Sequence, residues 1–112
     1  MAKYDIPVSQ INIAGHTKAI RTGKAIEDRL QEAEYYGRCY HAKDELLVDS
    51  SLNKSHFSNT FIHEVMEAVN VEYCASKIKH REITCLSNGL HQALKSLGIQ
   101  FIPRGGKRAS SK

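Results

Sequence analysis

No apolar run in this chain of 112 residues approaches the length needed to cross a bilayer. The first residues, Met1-Ala2-Lys3-Tyr4-Asp5, lack the apolar core of a signal peptide. Together these absences lead us to expect a cytoplasmic protein with no membrane partner. Cysteine is scarce: Cys39, Cys74 and Cys85 form an odd set with no C-x-x-C pair. That excludes a disulfide framework and points to reduced thiols. A glycine-rich phosphate loop is not expected either, because no strand is read before Gly105-Gly106 and no helix after it. Excess charge is confined to one end. The formal net charge is +4, and Arg104, Lys107, Arg108 and Lys112 supply four positive charges after Pro103 with no acid among them. The body is then neutral, which argues against a nucleic-acid binder built on a basic face. The tail alone could give only weak, nonspecific, salt-sensitive contact with nucleic acid.

What is present suits one small domain. With 41% hydrophobic and 25% charged residues, the chain can bury a modest core. We expect a single α+β domain over residues 1–102 and a basic, disordered tail over 103–112. Residues Ile11 to Ile20 place Ile11, Ile13, Thr17 and Ala19 at period two, which predicts a strand broken near Ala14-Gly15-His16. Lys24–Glu34 carries Ile26, Leu30 and Ala33 on one stripe of a short helix, with Gly37 placed to end it. Tyr36 to Ala42, a turn at Ala42-Lys43-Asp44-Glu45, and the apolar run Leu46-Leu47-Val48 read as a hairpin. After a polar connection from Ser50 to Ser55 comes a central helix over Phe57–Asn70, capped by Ser58 or Asn59, and the aromatics from Phe57 to Tyr73 are expected in the core. A second helix is expected over Lys77–Leu97, burying Ile83, Leu86, Leu90, Leu94 and Leu97 and stopped by Gly98. The apolar stripe lapses from Cys74 to His80, so two helices are preferred to one very long one.

The central helix carries the chemistry. His63 and Glu67 stand four apart and project from one stripe, while Glu64 lies about 100° round from His63. An imidazole and a carboxylate at that spacing, with a second carboxylate alongside, can present two metal ligands and a general base. The usual string is H-E-x-x-H; here the last position is Glu67. Two ligands do not hold zinc tightly, so a third must come from elsewhere. If the second helix folds back, His80 falls within side-chain reach of Glu67, whereas His91 lies roughly 16 Å further along. His80 is the expected third ligand and Glu82 its competitor.

These residues resemble a known group. Leu46-Leu47-Val48-Asp49 followed by Asn59-Thr60-Phe61-Ile62-His63-Glu64 is similar to the strand and active helix of small zincin metallopeptidases. The nearest type is the repressor-cleaving ImmA/IrrE group and its compact relatives in phage and prophage genomes. The helix after the motif carries a glutamate ligand in that group, followed by small and apolar residues in the register His80, Ile83, Leu86, Leu90. His80 thus stands where the family has glutamate, and Glu67 where it has its second histidine. The exchange leaves two imidazoles and one carboxylate. Tyr36-Gly37-Arg38-Cys39 is a weaker match to a glycine-containing segment before the family's strand. The resemblance covers roughly residues 36 to 97. It implies a zincin-like core, in a phage or prophage protein working in a bacterial cytoplasm. It further implies Zn²⁺, or another divalent ion, on His63, Glu67 and His80, with Glu64 taking a proton from a water that the ion activates. The substrate would be a peptide or protein, paired as an extended strand with Leu46–Val48 as a sheet edge.

Plainer readings exist for each feature. His63 and Glu67 also fit a solvated helix stripe, and His80 an ordinary first turn. A noncatalytic interaction or inhibitor protein on the same scaffold would carry the same string. Cys39 and His41 share a strand face, yet nothing in their spacing makes them ligands, and buried thiols are the better expectation. His16, His41, His56 and His91 belong to no motif.

Overall fold

The computed structural model describes residues 4–104. The chain order is β1 (Tyr4–Val8), β2 (Gln10–Ile13), β3 (His16–Arg21), α1 (Lys24–Glu32), β4 (Gly37–Tyr40), β5 (Glu45–Val48), α2 (Lys54–Cys74), α3 (His80–Ser96) and β6 (Ile99–Pro103). The fold is α+β, as expected. β2 to β5 form a four-stranded sheet in the order β2-β3-β5-β4, with β3 and β5 parallel and the two outer pairs antiparallel. β1 and β6 make a separate parallel pair with Tyr4 opposite Ile99 and Val8 opposite Pro103.

The core lies between the sheet and α2. β5 is the most apolar strand, and Leu46, Leu47 and Val48 are all buried. Leu46 and Val48 meet Phe57, Phe61, Ile62 and Ala68 from α2, with Val65, Met66 and Val69 half-buried beside them. Leu47 points to the opposite face, which α1 covers with Leu30. A strand buried on both sides reads as an unbroken apolar run, and its neighbours β3 and β4 fill both of its hydrogen-bonding edges. The expectation of β5 as the open edge is therefore corrected: the outer strand on that side is β4.

The broken strand at Ala14-Gly15 is a hairpin turn, with Ala14 at φ 54° and Gly15 at φ 80°. α1 ends before Gly37, which lies inside β4 and does not terminate the helix. α2 begins three residues earlier than expected, at Lys54, because Asn53 caps it by accepting from the His56 N–H. Neither Ser58 nor Asn59 is the cap. Ser58 is buried, and its Oγ accepts from the Phe101 N–H at 3.0 Å, which pins β6 to α2. Phe57 and Phe61 are core residues as expected, but Tyr73 is exposed and its hydroxyl accepts from the Ala14 N–H.

α2 and α3 are two helices, broken at Ala75 and Ser76, both left-handed at φ 52° and 59°. The buried face of α3 differs from the expected leucine stripe. It consists of Ile83, Ser87 and His91, whereas Leu86, Leu90 and Leu97 are 53%, 44% and 68% exposed. Only Ile83, and Leu94 in part, fit the expectation. Gly98 follows α3 at φ 83° and serves as its stop. Pro103, at the start of the expected tail, belongs to β6. The expected disordered tail lies, from residue 105 onward, outside the described residues. Among the described residues, no helix is long and apolar enough to cross a membrane.

Candidate metal centre

Two devices bring α3 back over α2. Asn70, buried near the end of α2, uses both ends of its amide on one residue of the connection: Nδ2 donates to the Ile78 carbonyl at 2.8 Å, and Oδ1 accepts from the Ile78 N–H at 3.1 Å. The Ser76 N–H also returns to the Asn70 carbonyl at 2.9 Å. α3 then starts at His80, and the Glu82 side chain accepts from the Lys79 N–H at 3.0 Å. Glu82 is therefore occupied in capping the helix and stands outside the His63, Glu67 and His80 group described next.

The fold-back brings His63, Glu67 and His80 together, with one donor atom from each within 4.8 Å of the others. The Glu67 Oε2 atom meets both imidazoles, His80 Nδ1 at 2.6 Å and His63 Nε2 at 3.2 Å. The two rings meet edge to face at 5.0 Å between centroids. Donors of a tetrahedral zinc site stand about 3.4 Å apart when each is about 2.1 Å from the ion. To hold a divalent ion the Glu67–His80 pair would have to spread, and the donors that now stand up to 4.8 Å apart would have to draw together. His63 and Glu67 are mostly covered, while His80 is 75% exposed, so one side of the group faces solvent.

The surroundings suit ligands. Burial holds the His63 imidazole below its usual pKa against the pull of the Glu67 carboxylate, so His63 is neutral near pH 7. Its other nitrogen, Nδ1, lies 3.4 Å from the hydroxyl of buried Ser87, which fixes the ring orientation. Glu64 is buried beside the group. Burial first, and the Glu67 charge second, push its carboxyl up to about 8. It lines a cleft of about 300 Å³ together with His63, His80, Gly37 and Thr60.

Gly37 is the reason that β4 can run so close to Glu64. A Cβ there would lie 2.8 Å from Thr60 Cγ2 and 3.0 Å from both Glu64 Cγ and the Leu47 carbonyl oxygen. The weak sequence match at Tyr36-Gly37-Arg38-Cys39 therefore falls on the wall of the cleft. Cys39 and His41 line this same region, Sγ and Nδ1 3.4 Å apart, but outside the three-residue group. Burial, aided by the Glu64 charge, pushes the Cys39 thiol up to about 12, so it stays protonated. His91 is buried on α3 with Nε2 unpaired, away from the group, as its distance along the helix implies. Ser87 and Tyr35 were missed in the sequence. Ser87 could have been found, since it stands two turns from His80 and shares its helix face. Tyr35, in a loop before β4, leaves no such periodic signal.

Comparison of the chain with protein-family models, with curated proteins and with solved structures finds no match in any of the three. The geometry alone carries the functional reading.

Proposed function

We propose that this protein is a zinc-dependent peptide hydrolase of the small zincin type, with His63, Glu67 and His80 as ligands and Glu64 as the general base. The observation that carries the reading is the meeting of two imidazoles and one carboxylate from two helices beside a buried glutamate in an open cleft. Two imidazoles and one carboxylate are the donor set of thermolysin-like zinc sites. When bound, the ion would polarise a scissile carbonyl and acidify water. Its positive charge would also favour the ionised form of Glu64, reversing the effect of burial. Glu64 then accepts a proton from the attacking water and returns it to the leaving amine. Ser87 keeps His63 turned toward the site. The outer edge of β4, unpaired among the described residues, carries Gly37 and Cys39 along the cleft and is the place for an extended peptide to pair.

The test is Glu64→Gln with metal analysis. The variant should retain zinc at the wild-type ratio and lose hydrolysis of a casein or mixed-peptide substrate by about 10²–10⁴-fold. Undiminished hydrolysis would remove Glu64 as the base. One observation favours a second reading: the 2.6 Å His80–Glu67 contact itself ties the start of α3 to α2. In a noncatalytic interaction protein that contact would be structural, and His63→Ala would leave partner binding intact.

A further inference from the structure

The outer face of β4 carries an arginine that the zinc reading does not use. Arg38 is exposed, and its guanidinium lies over two tyrosine rings, 5.0 Å from the centroid of Tyr40 and 5.5 Å from that of Tyr35. Arg29, from α1, lies 5.7 Å from the Tyr40 centroid and donates to its hydroxyl at 3.2 Å. Neither arginine forms an ion pair among the described residues. The recess they share, about 190 Å³, includes one acid, Glu32. Stacking immobilises a guanidinium by its faces and leaves the N–H fork at its rim free for a planar carboxylate. Arg38 and Tyr35 also line the metal cleft, so they form the wall between the two spaces.

We propose that Arg38, clamped by Tyr35 and Tyr40 and assisted by Arg29, selects peptides with an acidic side chain close to the scissile bond. This rests on reading the neighbouring cleft as a peptide hydrolase site. The reach follows from strand geometry: Gly37 touches the Glu64 side of the cleft, and Arg38 is the next residue along the same strand. A peptide paired with β4 advances about 3.3 Å per residue, which places the selected carboxylate within two residues of the cleaved bond. A peptide is favoured over a nucleic acid because β4, the outer strand of its sheet, adjoins the arginine.

The test separates recognition from hydrolysis. Two fluorescein-labelled peptide pools of random sequence, differing only in a fixed Glu or Gln, are titrated by anisotropy against metal-free and zinc-loaded protein. The Glu pool should bind roughly tenfold more tightly. Arg38→Gln should bring the ratio close to one, while Lys24→Gln, which removes the same charge from α1, should leave it unchanged. Arg38→Lys should recover less than half of the preference, because it keeps the charge but not the stacked fork. Equal binding of the two pools, a preference surviving in Arg38→Gln, or full recovery in Arg38→Lys would overturn the proposal. Displacement of the Glu pool by a random oligonucleotide more readily than by unlabelled Glu peptides would also overturn it. An Arg38-dependent preference without any hydrolysis would support the acidic-peptide site and count against the hydrolase reading alone. Hydrolysis without preference would do the reverse.

Discussion

Gly37 and Glu64 show how the site is built at the level of single residues. β4 can lie against α2 because position 37 has no side chain. Gly37→Ala would force its Cβ against Thr60 and Glu64 and the rigid Leu47 carbonyl. It should destabilise the protein by about 1–3 kcal/mol, measured by urea unfolding, and displace Glu64. A stability change below about 0.5 kcal/mol would mean that the strand and helix are less tightly apposed. Glu64 also ties stability to pH in the metal-free protein. Its folded pKa is raised from 4.5 to about 8, so between these values the folded chain holds a proton that the unfolded chain has released. Its contribution is full below about pH 4.5 and is lost as pH rises through 8. The lowered pKa of His63 acts the other way and costs stability as pH falls below 6.5. In chelator, Glu64→Gln should therefore raise the melting temperature by several degrees at pH 8 and by little at pH 5. An equal effect at both pH values would contradict the raised pKa.

Among the elements, the α2–α3 connection decides whether a site exists. His63 and Glu67 were legible in the sequence because their spacing is local to one helix. His80 was legible only through the break after Cys74, which forces the chain to return. Its competitor Glu82 could be dismissed only once its contact with the Lys79 N–H was seen, since a carboxylate in a first turn serves equally as ligand or cap. Leu86, Leu90 and Leu97 misled because an apolar stripe gives the face of a helix without saying how far round it the neighbour reaches. In the fold, the buried arc of α3 is the adjoining one of Ile83, Ser87 and His91. Asn70 is the residue that sets this angle. Asn70→Ala removes two hydrogen bonds to Ile78 and leaves its N–H and carbonyl unpartnered. It should cost about 1–3 kcal/mol in unfolding and weaken zinc binding at least tenfold. Unchanged zinc affinity would mean that the fold-back is held by packing alone.

Across the whole molecule, the sheet order and the joining of the chain ends carry information that no local pattern contains. The parallel pairing of β1 with β6 links residues 4–8 to 99–103, and neither segment alone signals a partner. β4 and β5 were recognisable as a hairpin, but which of them faces open space depends on β3 arriving beside β5 from a distant part of the chain. That order puts the free edge, the arginine wall and the three-donor group on one side of the domain. Zinc titration of chelator-treated protein by calorimetry, with metal content read by atomic emission, addresses the three-donor group directly. One zinc per chain is expected, with affinity falling at least a hundredfold in each of His63→Ala, Glu67→Ala and His80→Ala. No zinc uptake by the folded wild-type chain, or uptake that all three variants retain, would contradict the metal centre.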